Sequence, residues 1–157
     1  MKRKLFILSL CILAALTGYA QNSSDVETKV KEIVSKYENV KGVNCMTVAK
    51  GSGLGLVKAM FKDEFGKDFM KGVTSITIIE YTNASHDVCL QLRKELDGLA
   101  QILEEIDVNR EDGADDSIYA RSFALTLEDN AMSDFVIAME NKESKMIMYM
   151  AGKIKVE

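Results

Sequence analysis

The chain has 157 residues, with 20 Lys and Arg against 24 Asp and Glu, one His, three Cys, nine Met, no Trp and no Pro. That length holds one domain, and the net charge of −4 disfavours nucleic acid and anionic lipid as partners. The lack of proline excludes a stiff linker or a proline-rich ligand segment.

The first twenty residues stand apart. Met1-Lys2-Arg3-Lys4 is basic, Leu5 to Leu16 is an almost unbroken apolar run, and Gly18 and Ala20 put small residues at an exit site. Charge, apolar run and small-residue exit in that order predict a secretory signal peptide over 1–20. The apolar run of about a dozen residues is short of the ~20 that span a bilayer. Cys11 follows Leu10 rather than a small residue, which argues against a lipid-modified cysteine. The expectation is cleavage after Ala20 and one soluble α+β domain over 21–157, working in the periplasm or secreted, with no membrane span after processing. Loss of Lys2, Arg3 and Lys4 takes the formal charge from −4 to −7. Cys45 and Cys89 remain. An oxidising compartment permits a disulfide between them; two buried free thiols packing as small hydrophobes are the alternative.

Along the mature chain, Val26, Val30, Ile33, Val34 and Tyr37 recur at helical spacing within 25–39. Ser24 or Asp25 can cap that helix. Val43 to Ala49 reads as a strand, broken by Gly51-Ser52-Gly53. Leu54 to Phe65 is helical, with Leu56, Val57, Met60, Phe61 and Phe65 on one stripe, and Gly66 and Gly72 bracket a turn. Val73 to Tyr81 is rich in β-branched residues, and its continuous apolar run predicts a central strand. Asn83 or Ser85 starts the next helix, whose stripe of Val88, Leu92, Leu96, Leu99 and Leu103 runs to about Leu103. Strands follow from Ile106 and over 118–127, 132–140 and 145–154, with polar turns between them. The sum is an α+β fold: a mostly antiparallel sheet of about six strands with helices packed mainly on one face. Helical crossovers between the early strands allow those neighbours to be parallel.

Several of these segments resemble a known family. Lys36-Tyr37-Glu38-Asn39-Val40-Lys41-Gly42-Val43, the run from Gly72 to Tyr81, Ser133-Asp134-Phe135-Val136-Ile137 and Met148-Tyr149-Met150-Ala151-Gly152-Lys153-Ile154 are similar to small exported Bacteroidetes-type proteins, domain of unknown function 4252. The resemblance covers most of the mature chain. It implies no catalytic residues. Such families often lie near genes for extracytoplasmic-function sigma factors, which implies an envelope-response role.

The residues offer little catalytic chemistry. Gly51-Ser52-Gly53-Leu54-Gly55 lies between a strand and a helix and can cradle an anion, but it lacks the dinucleotide and Walker spacings. Asp107, Asn109 and Glu111 alternate as in a calcium loop, yet Gly113 comes one residue late and Ile118 replaces the bidentate Glu. Met146, Met148 and Met150 share one strand face. Methionine rows can hold Cu(I), though methionine more often fills cores or binding surfaces. His86 between Ser85 and Asp87 is not a triad, because helix neighbours point apart. Glu104-Glu105 and Asp115-Asp116 are merely adjacent charges. No cofactor and no catalytic or metal site is expected.

The last strands are apolar on both sides. Phe135, Ile137 and Met139 alternate with Val136 and Ala138, and Ile147 and Tyr149 alternate with Met146, Met148 and Met150. A sheet covered on one side needs one apolar face only. The second face then needs a helix, a partner or a ligand to cover it. The sequence therefore predicts a non-enzymatic envelope binding module that takes a protein or an apolar ligand, with Met146, Met148, Met150 and Val136 as candidate contacts. The alternative is a hydrolase or metal-binding protein with an unfamiliar site, which a pocket collecting His86, the acids at 111–116 and a hydroxyl would favour.

Overall fold

A computed structural model describes residues 23–106, 119–127 and 131–155. Helix α1 covers 23–37, followed by β1 (Asn44–Ala49), α2 (Ser52–Phe65), α3 (Lys67–Gly72), β2 (Val73–Glu80) and α4 (His86–Leu99). The chain then runs through β3 (Glu104–Glu105), β4 (Tyr119–Leu127), β5 (Ala131–Glu140) and β6 (Lys145–Lys155). The six strands form one sheet in the order β1-β2-β6-β5-β4-β3. Every neighbouring pair is antiparallel.

The sheet is the antiparallel one expected, and the early strands do not take the parallel pairing that helical crossovers allow; Gly66 is the local reason. The residue sits at φ 83°, a conformation open to glycine without strain. It breaks the helix, so that α2 goes out and α3 comes back. The segment over 67–72 is therefore a short helix rather than the expected turn. Ala49 leaves β1 opposite Ser75, at the end where β2 begins. A parallel neighbour would need a helix long enough to return the chain to the opposite end. β2 lies between β1 and β6, the inner position that its continuous apolar run predicts.

Helices α1 and α4 form the main layer, over the first face of the sheet. Val26, Val30, Ile33 and Tyr37 of α1 and Cys89, Leu92, Leu96 and Leu99 of α4 are buried with Ile79, Phe123, Val136, Ala138, Ile147 and Tyr149. Each fully buried Leu there contributes roughly 1.5–3 kcal/mol through removal from water. Ser85 caps α4, its hydroxyl accepting from the Val88 N–H at 3.4 Å. The helix ends at Leu99, earlier than its apolar stripe, because Ile102 and Leu103 N–H groups both turn back to the Leu99 carbonyl. Leu103 is still buried in that core. A second apolar cluster fills the other face, where Leu54 of α2 and Met70 of α3 meet Ile76, Phe135, Met148, Met150 and Ile154.

Candidate functional site

The register of the sheet defines what its second face displays. Side chains directly opposite each other across strands share a face. Met46 lies opposite Ile78, Ile78 opposite Met148, and Met148 opposite Ile137. One row toward the sheet end, Glu80 faces Met146 and Met146 faces Met139. One row the other way, Val48 faces Ile76, Ile76 faces Met150 and Met150 faces Phe135.

Helices α2 and α3 cover only part of this face. Under them Met148 and Met150 are buried, and the Phe69 ring stands edge-on to Phe135 at 5.4 Å between centroids. Toward β1 and toward the Met139 end of β5 the apolar face is partly exposed. Met46 is 48% exposed and Met139 40% exposed, while Ile78, Ile137 and Met146 between them are half-buried. From β1 to β5 this open area spans three strand spacings, about 14 Å. Leu56 and Met60 on the outer side of α2 are exposed as well.

The three methionines expected on one face do share it, but in different environments. Met146 borders the open area, whereas Met148 and Met150 are core. Val136 is separated from them. It pairs with Tyr149 and is fully buried on the first face, under α1 and α4. That is a correction to the expected grouping: the pleat of β5 turns Phe135, Ile137 and Met139 to the methionine side and Val136 to the other. Met46, Ile78, Ile137 and Met139 complete the open surface. Their parity along each strand was visible in the sequence, but the pairing that joins the strands was not.

The first face carries two buried carboxylates, each tied to one helix. Glu140 accepts from Arg93 Nε at 2.9 Å and from the Tyr81 hydroxyl at 3.0 Å. The Arg93 guanidinium also lies over the Tyr119 ring at 4.6 Å. Burial pushes the Glu140 carboxyl up, but the Arg93 and Tyr81 hydrogen bonds outweigh it and hold the group below the ordinary carboxylate value. Burial and the neighbouring carboxylate push the Tyr81 hydroxyl far up. Asp134 sits at a register shift of β5 with φ 52°. It accepts from the hydroxyls of Ser23 at 2.7 Å, Ser133 at 2.7 Å and Tyr149 at 2.6 Å. Arg93 belongs to α4 and Ser23 to α1, so these carboxylates anchor the two helices to β5. Such geometry is structural: each acceptor is already occupied by donors of its own chain.

Between α1 and the β1 side of the sheet lies an open groove of about 510 Å³, floored by Thr47, Ala49, Ser75, Thr77 and Tyr149 and walled by Val30 and Val34. The small floor residues leave the space. The Thr47 and Thr77 hydroxyls, side by side on adjacent strands of that floor, are hydrogen-bonded at 3.0 Å.

Among the described residues the remaining candidates do not converge. His86 is exposed at the start of α4, beside the capping Ser85. Gly51 precedes α2, which has no side-chain cap and no acidic residue in its first turn. Glu104 accepts from the Thr126 hydroxyl, and Glu105 accepts from Arg121 Nε at 2.9 Å. The possible calcium turn, including Asp107, Glu111 and the pair Asp115-Asp116, lies outside the described residues. Cys45 and Cys89 are both free thiols, each packed into the α1–α4 core. Burial, with Glu38 nearby, raises the Cys45 pKa. Among the described residues no three His, Cys, Asp or Glu side chains are grouped to hold a metal ion. No helix among them is long and apolar enough to cross a membrane.

These features define a small α+β domain, an antiparallel sheet with two helices on one face and an incompletely covered apolar second face. Residues 37–157 match the family described as Domain of unknown function (DUF4252). The chain belongs to that family. No curated protein and no solved structure matches it.

Proposed function

We propose that this protein is an exported, non-enzymatic interaction module of the cell envelope, and that the open half of the second sheet face is its contact surface. The observation that carries the reading is the apolar row on this face from exposed Met46 through half-buried Ile78, Met146 and Ile137 to exposed Met139, bordered by Glu80 beside Met146. Scattered exposed apolar residues are ordinary, but a contiguous patch on a folded domain favours a partner. Methionine suits such a surface because its unbranched side chain adapts to different shapes. The occupant is a protein or an apolar ligand of the envelope. The leader over 1–20 supports export, and the family resemblance extends the proposal to an envelope-response role.

A photo-crosslinking residue placed at Met139 in the native cell, with exposed Lys142 as control, tests the surface. A discrete adduct from position 139 that is absent from 142 is the expected result. Adducts from neither, or equally from both, overturn the reading. Mass analysis of the exported protein should give a chain beginning at Gln21.

A further inference from the structure

β1 is an edge of the sheet, and among the described residues no strand pairs with its outer side. An edge presents unpaired N–H and C=O groups to any strand that approaches. Proteins blunt such edges by shortness, charge, proline or bulges. The far edge is blunted: β3 is two residues long, and both are glutamates. β1 has none of these protections. Its six residues, Asn44-Cys45-Met46-Thr47-Val48-Ala49, carry no charge and no proline, and they pair with β2 in unbroken register. Both flanks are accessible. The groove holds α1 away from Thr47 and Ala49 on one face, and Met46 is exposed on the other.

We propose that a second copy of this chain docks here, β1 against β1, antiparallel about a two-fold axis, so that two six-stranded sheets become one. The hydrogen-bond pattern of an antiparallel pair is symmetric, so identical strands satisfy each other in an isologous interface. No like charges meet, because β1 carries none. The same pairing at β3 would oppose glutamates.

The pleat limits the register. Residues directly opposite must share a face, so the axis passes beside a residue rather than between two. Centring on Thr47 sets Met46 of one copy against Val48 of the other, apolar against apolar, and the two Thr47 side chains against each other. Centring on Met46 would instead set Asn44 against Val48. The Thr47 register is therefore the one the interface takes.

The test needs only the purified protein. Sedimentation should show a concentration-dependent dimer for the parent chain. Thr47→Lys sets two cations against each other and should give a monomer, with an unchanged circular dichroism spectrum. In a Cys45→Ser background, Thr47→Cys should form a reducible dimer under mild oxidation, since facing Cα atoms ~4.5–5.5 Å apart suit a disulfide. Met46→Cys should not. A parent chain that stays monomeric and a Thr47→Cys variant that does not cross-link overturn the proposal. So does a dimer that survives Thr47→Lys, or one that cross-links through Met46→Cys in place of Thr47→Cys. Met139, where the contact surface is probed, lies on β5, three strands from this edge, so failure here leaves that reading untouched.

Discussion

At the scale of single residues, Glu140 carries the clearest electrostatic consequence. Its carboxyl titrates below the ordinary value in the folded state, so the folded protein binds that proton less readily than the unfolded chain does. Its contribution is full above the unfolded carboxylate range and is lost as pH falls through the folded value. Glu140→Gln leaves Arg93 without its counter-charge and should cost about 2 kcal/mol near neutral pH. The partial exposure of Arg93 keeps the cost below that of a fully buried pair. Urea unfolding at pH ~7 and pH ~4 checks both size and sign: the difference between parent and variant should shrink in acid. A difference that grows in acid would contradict the assigned role.

At the scale of elements, the β2–β6 pairing depends on two glycines. Gly152 lies opposite Val73 in β2 and has φ +125°, and a Cβ there would come 2.2 Å from the Gly72 carbonyl oxygen. A Cβ on Gly72 would in turn meet the Lys153 carbonyl oxygen at 2.1 Å. The contact is backbone on backbone, so no side chain can move aside to relieve it. Gly152→Ala should cost about 3 kcal/mol or more, combining steric overlap with a conformation L-residues avoid. A thermal midpoint within a degree or two of the parent would show that the close approach is not required. The same junction is where α3 passes into β2, so the change should also loosen α2 and α3 from the second face. Hydrogen exchange along 54–70 would report that loosening.

At the scale of the whole molecule, the second face is divided between core and surface, and methionines on one sheet face should respond in opposite ways. Met148, 1% exposed, should cost about 2–5 kcal/mol when changed to Ala, from lost transfer energy plus a cavity. Met139, diagonal to it on the same face, should cost under about 0.5 kcal/mol. Equal losses in chemical unfolding would mean that the open half is covered in solution. The two layers also differ in how they are held. The α1–α4 layer has the Glu140 and Asp134 anchors, while α2 and α3 rest mainly on apolar contacts over part of the other face.

Much of the secondary structure was legible in the chain because its causes are local. Helical spacing in Val26 to Tyr37, the serine cap at Ser85, β-branched Val73 to Ile79 and the alternation of Met146, Met148 and Met150 all act within a few residues. The class of fold followed from those elements. The candidate surface was legible only in part. That β6 carried a methionine face could be read; that Val136 turned away from it, and that Met46 and Met139 joined it, could not. Those outcomes depend on which residues pair across strands distant in sequence, and a shift of one residue reverses every face. Composition and periodicity alone determined most of the elements, though not the short helix over 67–72, and the apolar character of both sheet faces. Tertiary structure decided the antiparallel order, the sharing of helices between the faces and the stretch of apolar surface left open, because each arises from contacts between segments whose separation no local pattern encodes.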